Sequence, residues 1–259
     1  METGKNFTSV NALTRARRVI AGRVGKPKPR NIATHRYDPK DWERTTNRMK
    51  GIITQQGPEP MTSSGRPRRS RRKGDEPEAA VQDLLKIDVP TSQVCLECQG
   101  KSSNCADKCP RALQGRDAHA KGLVEIRDTG NPNLGFGVYV RPQAAIKSGQ
   151  ILGEYVGELV PTNIDRKSDY RFDISRFVAI DSEAYGNWTR FMNHHCDFNV
   201  DSIRTQVGGR AAIVFQANRD IGPNEEVLIY YGEQYFSNAG AQCYCSVSTR
   251  PHKPRQVGR

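Results

Sequence analysis

Residues 186–199 read Gly-Asn-Trp-Thr-Arg-Phe-Met-Asn-His-His-Cys-Asp-Phe-Asn, and thirty-two residues after Cys196 begins Leu-Ile-Tyr-Tyr-Gly, ending at Gly232. Trp188–Met192 predicts a single helical turn. Outward from it the chain alternates short apolar runs with Gly, Pro and Asn. Leu123–Arg127, Phe136–Arg141 and Ile151–Val160 read as strands, the last preceded by a turn at residues 147–150 (Lys-Ser-Gly-Gln). Tyr170–Ile174, Phe177–Asp181, Arg210–Asn218 and Val227–Tyr231 are β-rich as well. Many short strands without βαβ units predict a mostly β domain and exclude a doubly wound fold. The pair Gly135-Phe136-Gly137 is therefore no dinucleotide fingerprint, because the third glycine and the following helix are both missing.

The chain has 259 residues, room for one or two domains. No run approaches the 18 apolar residues of a membrane helix, so no membrane contact is expected. The N-terminus lacks the apolar stretch of a secretory signal. Seven cysteines in such a chain point to a reducing compartment, where thiols serve metals better than disulfides. Charge is uneven: residues 1–90 hold 20 Lys/Arg against 10 Asp/Glu, residues 91–259 hold 20 against 18. The basic third contains Lys-Pro-Lys-Pro-Arg (26–30), Gly-Pro-Glu-Pro (57–60) and Arg-Pro-Arg-Arg-Ser-Arg-Arg-Lys (66–73), and is read as a disordered basic region. The 66–73 run suits a nuclear localisation signal, a nucleic-acid contact or a solvated linker. A short helix around residues 76–86 is expected to dock on the folded part.

Arg190, Phe191, Asn193, His194 and Cys196 resemble the R-F-x-N-H-x-C segment of the SET-domain protein lysine methyltransferases. The ordered set of Gly135-x-Gly137, a Gly-Glu strand, this segment, Asn-Arg-Asp-Ile at 218–221 and Tyr231-Gly232 strengthens the resemblance. It implies several small curled sheets with a knot-like threaded C-terminal segment. Domain bounds follow: 1–90 basic and disordered, 91–121 pre-SET-like, 122–236 SET, 237–259 post-SET-like.

The chemistry implied is methyl transfer from S-adenosylmethionine to a lysine amine. Free lysine has a pKa of about 10.4 and must be neutral to attack. A narrow apolar channel disfavours the ammonium, and tyrosines suit its walls because their rings cover the aliphatic stem while their hydroxyls orient the amine without charge. The resemblance makes Tyr231 the catalytic tyrosine, with Tyr170 beside it and Phe172, Ile229 and Tyr230 in the substrate channel. Gly135, Phe136 and Gly137 fall where the family holds the methionine part of the cofactor, and Asn193 and His194 where it meets the adenosine. Arg190 and Phe191 complete the cofactor set, although Arg190 also suits a bracing role in the threaded loop. Ile229 stands where relatives carry Phe or Tyr. A tyrosine hydroxyl there restricts the product to monomethyl-lysine, so isoleucine implies room for di- or trimethylation.

The cysteines form two groups. Cys95, Cys98, Cys105 and Cys109 (C-x2-C-x6-C-x3-C) suit one zinc ion or four free structural thiols. The following Cys109-Pro-Arg-Ala-Leu-Gln-Gly115 resembles the pre-SET ending of heterochromatin-type enzymes that methylate lysine 9 of histone H3. Cys196, Cys243 and Cys245 resemble a post-SET zinc site, but its last cysteine would fall at Arg250, and His252 is a candidate substitute. Three functions are compatible: a histone-tail or nucleosome methyltransferase of nuclear chromatin, a methyltransferase for another protein, and a non-catalytic scaffold. In the first, the tail would add as a strand beside residues 172–181, with Asp173, Asp181 and Glu183 facing its basic residues or lying in solvated turns.

Overall fold

The computed structural model describes residues 30–32, 35–38, 41–42, 85, 95–99, 108–164, 168–175, 177–232, 235–236, 243 and 245. Twelve short strands build three sheets among these residues. The first sheet holds β1 (Arg30–Asn31), β2 (Arg36–Tyr37), β6 (Gly157–Pro161), β7 (Arg171–Asp173) and β8 (Val178–Gly186). Its order is β1-β8-β6-β2, with β7 also on β8. The second holds β5 (Ile151–Glu154), β9 (Asn193–His194), β10 (Val200–Val207), β11 (Arg210–Ala217) and β12 (Leu228–Ile229), in the order β5-β11-β10-β12-β9. The third is the antiparallel pair β3 (Val124–Asp128) and β4 (Phe136–Val140).

The expected strands are present, with changed ends. The run Ile151–Val160 divides at Tyr155-Val156 into β5 and β6, which serve different sheets. One long strand was not expected: β10, whose Asp, Ser, Arg, Thr and Gln hide its period. It pairs with β11 along all eight residues, closed by Gly208-Gly209. Both glycines have positive φ (62° and 76°), the geometry of a two-residue hairpin turn. Helix α1 (Lys108–Gln114) was not expected either. Pro110 is tolerated in its first turn, and Cys109 and Leu113, four residues apart, share its buried face. Trp188–Phe191 is a 3-10 turn capped by Asn187, whose Oδ1 accepts from Thr189 N at 3.3 Å and from Thr189 Oγ1 at 2.5 Å.

The main core joins Leu152, Leu159, Ile180, Met192 and Phe215, all fully buried. Each such side chain contributes on the order of 1.5–3 kcal/mol by leaving water. Part of the N-terminal third also packs here. Within the segment expected to be disordered, β1 runs parallel to β8 and β2 parallel to β6. Side chains carry this docking. Buried Trp42 donates from Nε1 to the Leu159 carbonyl at 3.1 Å, and the Arg36 guanidinium lies 3.7 Å from the Tyr185 ring centre. Leu85 is buried, and its carbonyl accepts from Ala211 N at 2.8 Å. The rest of the helix expected at 76–86 lies outside the described residues.

His35 joins this docking to a buried ion pair. Glu154 on β5 receives Arg210 in a two-pronged contact of 2.5 and 2.9 Å, with His35 Nε2 3.3 Å from Oε1. Burial pushes the Glu154 pKa up, but Arg210 and His35 outweigh it and hold the carboxyl at about 2, against 4.5 for the free side chain. A depressed carboxylate stabilises the fold above its unfolded pKa, and that stability is lost as pH falls from about 4.5 toward 2. Glu154→Gln is therefore expected to flatten the pH dependence of the unfolding midpoint across that window. At neutral pH it should cost about 3–5 kcal/mol, because it leaves Arg210 buried and uncompensated. Chemical denaturation at stepped pH measures both, and an unchanged slope below pH 4.5 contradicts the assignment.

Candidate functional site

The site forms where β12 enters the second sheet. β12 lies between β9 and β10 and runs parallel to both. β9 and β10 are joined only by residues 195–199, so the C-terminal strand is inserted into a sequence-local pair. Leu228 sits opposite Asn193, and Ile229 opposite both His194 and Val200. Tyr231, two residues on, is thereby laid against the 186–199 segment. Its N–H donates to His194 Nδ1 at 3.2 Å, and its hydroxyl donates to the Met192 carbonyl at 2.8 Å.

A cavity of about 260 Å³ opens beside this hydroxyl. Of the residues expected there, Tyr231, Tyr170, Phe172, Ile229 and Arg190 line it. Tyr230 does not; it stacks on Phe198 (5.8 Å between ring centres) and lies tilted against His194 (5.5 Å). Tyr155, Met192, Arg204 and Tyr235 line the cavity without having been singled out from sequence. Tyr155 was not singled out because it lies inside the Ile151–Val160 run, where it reads as a core aromatic. It packs on Phe172 at 4.9 Å, and its hydroxyl donates to the Tyr170 carbonyl at 2.7 Å. Tyr235 closes on the Tyr231 ring at 4.7 Å.

Both hydroxyls, on buried Tyr155 and half-buried Tyr231, are held neutral. Burial, reinforced by neighbouring tyrosines, pushes Tyr231 well above the usual range, and burial does the same to Tyr155. Each hydroxyl proton is already committed to a backbone carbonyl, so what remains toward the cavity is lone-pair density. Such oxygens accept hydrogen bonds and orient a donor; they do not remove a proton.

Arg190 is the unusual group. It is buried, and none of its three side-chain nitrogens has a hydrogen-bond partner. Its guanidinium lies 4.5 Å from the Tyr170 ring centre and 5.5 Å from that of Phe191, contacts that compensate only part of the lost hydration. A buried, pre-oriented fork of donors beside a cavity fits a carboxylate. Phe191 packs edge-on against Phe136 at 6.5 Å. Gly135 closes the 129–135 turn, its carbonyl accepting from Thr129 N and Oγ1 at 2.8 and 2.7 Å. Gly137 faces Asn193. A Cβ there would stand 2.3 Å from Glu226 Oε1 and 3.0 Å from Asn193 Nδ2, so only glycine leaves this backbone open.

Two thiol clusters flank the domain. Cys95, Cys98 and Cys109 bring their sulfurs within 4.8 Å of one another, as do Cys196 and Cys243 with a ring nitrogen of His194. Cys105, Arg250 and His252 lie outside the described residues. Sulfurs on one edge of a tetrahedral zinc site lie about 3.8 Å apart for bonds of about 2.3 Å; Cys196 and Cys243 are 3.9 Å apart. His194 is poorly disposed as a ligand. Its Nδ1 accepts from Tyr231, which leaves the ring proton on Nε2, 3.6 Å from Cys196 Sγ and set to donate to sulfur. Burial and the adjoining thiols push Cys109 up to about 11 and Cys196 to about 12. Without a cation these clusters resist ionisation, and a soft cation reverses that balance. Among the acidic residues expected to face a bound tail, Asp181 is instead buried, accepting from Ser168 Oγ at 2.8 Å and Glu183 N at 2.9 Å. Asp173 is exposed and lines the cavity rim beside Arg171.

Residues 136–232 match the SET domain family model. Histone-lysine N-methyltransferase EHMT1 of Mus musculus is 31% identical over 162 residues, covering 58% of this chain and 12% of that protein. Histone-lysine N-methyltransferase Set2 of Drosophila melanogaster is 29% identical over 123 residues, 43% of this chain and 5% of its own length. An H3 lysine-36 specific histone-lysine N-methyltransferase of Chaetomium globosum is 27% identical over 164 residues, 59% of this chain and 18% of its own. The chain thus spans less than a fifth of these relatives. The crystal structure of the Chaetomium thermophilum polycomb repressive complex 2 aligns with a TM-score of 0.38 at 27% identity, over 42% of this chain and 15% of that one. Residues 136–232 are therefore a SET domain whose relatives are histone-lysine N-methyltransferases.

Proposed function

We propose that the protein is an S-adenosylmethionine-dependent protein-lysine N-methyltransferase acting on a histone H3 tail, the lysine-9 site favoured, in nuclear chromatin. The observation that carries this reading is the convergence of two neutral, acceptor-presenting tyrosine hydroxyls and an unpaired buried arginine on one cavity. The pre-SET-like ending at Cys109–Gly115 favours lysine 9, and the basic N-terminal third suits a nucleic-acid-rich setting.

The residues fit the cofactor. Arg190 would take its carboxylate, Gly135-Phe136-Gly137 its methionine chain, and Asn193 and His194 its adenosine. When bound, S-adenosylmethionine supplies an electrophilic methyl on a sulfonium. The chain's own part is to strip and aim the amine. Phe172, Ile229, Met192 and the tyrosine rings exclude water around the lysine stem and disfavour its ammonium form. The Tyr231 and Tyr155 oxygens accept from the amine and fix its lone pair on one line. Because neither tyrosine ionises, the surplus proton leaves to solvent and not to a protein base. Alignment of this kind is the main contribution such a site makes.

Tyr231→Phe keeps the ring and removes the oxygen. Mass spectrometry of nucleosomes and free histones incubated with S-adenosylmethionine is expected to show methylation of one histone lysine, reduced about a hundredfold or more in this variant. Methylation that survives the substitution removes Tyr231 from the mechanism. Methylation of a non-histone protein alone overturns the substrate assignment.

Ile229 brings no hydroxyl to the channel wall. With excess cofactor the product is expected to advance to di- or trimethyl-lysine, and Ile229→Tyr to stop it at monomethyl-lysine. A wild-type reaction that ends at monomethyl-lysine contradicts this.

Each thiol cluster would hold one zinc ion. Elemental analysis is expected to find two zinc ions per chain, with Cys95→Ser and Cys196→Ser each losing one. Chelation should lower the thermal midpoint. A metal-free protein with an unchanged midpoint makes the clusters simple thiols.

A further inference from the structure

Glu226 has no part in the steps above, yet its carboxylate lies against the backbone assigned to the cofactor. Residues 224–227 run antiparallel to β4. Val227 N donates to the Val138 carbonyl at 2.7 Å, Asn224 N to the Val140 carbonyl at 2.9 Å, and Glu226 stands opposite Tyr139. On that face of β4, Gly137 is the diagonal neighbour, and its missing side chain leaves the space that the Glu226 carboxylate and the Asn193 amide fill.

In that space Asn193 Nδ2 donates twice, to the Phe136 carbonyl at 3.1 Å and to Glu226 Oε1 at 2.8 Å. A carbonyl and a carboxylate can only accept. The amide therefore has one orientation: its nitrogen faces Phe136 and Glu226, and Oδ1 remains as an acceptor. With the Phe136 carbonyl alone the amide would keep a single restraint. Glu226 stands opposite Tyr139, and burial, joined by the Glu226 charge, pushes the Tyr139 hydroxyl above its usual range. Tyr139, Glu226 and Asn193 thus form a chain of polar groups ending at Gly137.

We propose that Glu226 is a positioning residue, which locks the Asn193 amide so that Oδ1 accepts from the α-ammonium of S-adenosylmethionine. The inference rests on the cofactor reading above, with Asn193 meeting the adenosine through its backbone and the methionine end through its side chain. The cofactor's nitrogen-bound hydrogens are on its α-ammonium and its adenine amine, and the 135–137 segment beside Asn193 takes the methionine end. The Asn193 amide oxygen, backed by the Glu226 carboxylate, complements the Arg190 guanidinium, so the α-ammonium meets an acceptor and the α-carboxylate a donor.

Calorimetric binding tests this with two ligands, S-adenosylhomocysteine and its analogue lacking only the α-amino group. Glu226→Ala is expected to weaken S-adenosylhomocysteine by about tenfold or more and to leave the desamino analogue within about twofold. Glu226→Gln, which retains an acceptor, should recover most of the loss. Thermal unfolding of each variant without ligand shows whether it is folded, and Glu226→Met, which keeps the length of the side chain but removes the oxygen acceptor, stands in with the same expected outcome if the alanine variant is not. Equal weakening of both ligands would mean a general structural role and overturns the proposal, as does no weakening of either or a glutamine variant as weak as alanine. Wild-type protein that binds neither ligand removes the cofactor reading itself, and this inference with it.

Discussion

Everything in the candidate site depends on the insertion of Leu228–Ile229 between Asn193–His194 and Val200–Val207. A two-residue strand has little intrinsic stability, so it is held by more than ladder bonds. Asn199, fully buried, accepts from Leu228 N through Oδ1 at 2.8 Å and donates through Nδ2 to the Glu226 carbonyl at 2.8 Å. His195 N donates to the Ile229 carbonyl at 3.1 Å, and Asn199 N to the Leu228 carbonyl at 3.2 Å. The loop 195–199 thus grips the inserted strand from both edges. The same insertion delivers Glu226 to Gly137, Ile229 to the channel wall and Tyr231 to the Met192 carbonyl. Shifting β12 by one residue would turn each of these side chains to the opposite face.

Buried charge is handled in two ways. Glu154 and Arg210 neutralise each other across β5 and β11, and His35 ties the N-terminal segment to the pair. That arrangement needs nothing from outside. Arg190 is buried as deeply and lacks a hydrogen-bonding partner. The first arrangement holds sheets together, and the second leaves an unmet demand for an anion at the cavity. The difference sets a self-contained ion pair apart from a buried cation at the edge of a cavity.

Legibility from sequence followed how local each signal was. β3, β4 and β11 were visible because apolar runs bounded by Gly or Asn persist through them. β10 was hidden because its outward residues are polar and one face borders the cavity, although Gly208-Gly209 marked its hairpin. The N-terminal strands were obscured by basic and proline-rich surroundings, and their pairing depends on contacts more than a hundred residues away, such as Trp42 with Leu159. Tyr155 and Glu226 were passed over for a similar reason: each is an ordinary strand residue until another part of the chain is folded against it.

The sequence by itself determined the class of the domain and the inventory of its chemistry. Many short apolar runs without βαβ units predicted a mostly β fold, and the resemblance carried by Asn193, His194, Cys196 and Tyr231 implied that those groups act together. Tertiary structure decided what each group faces. Alternation puts the adjacent Tyr230 and Tyr231 on opposite faces, and tertiary structure decided which face is which, Tyr230 toward Phe198 and Tyr231 toward the cavity. It buried Asp181, paired Glu154 and left Arg190 without a hydrogen-bonding partner. The physical reason is that side-chain orientation, burial and charge pairing depend on which distant strand lies alongside, and that is set by the threading of β12, which no local pattern encodes.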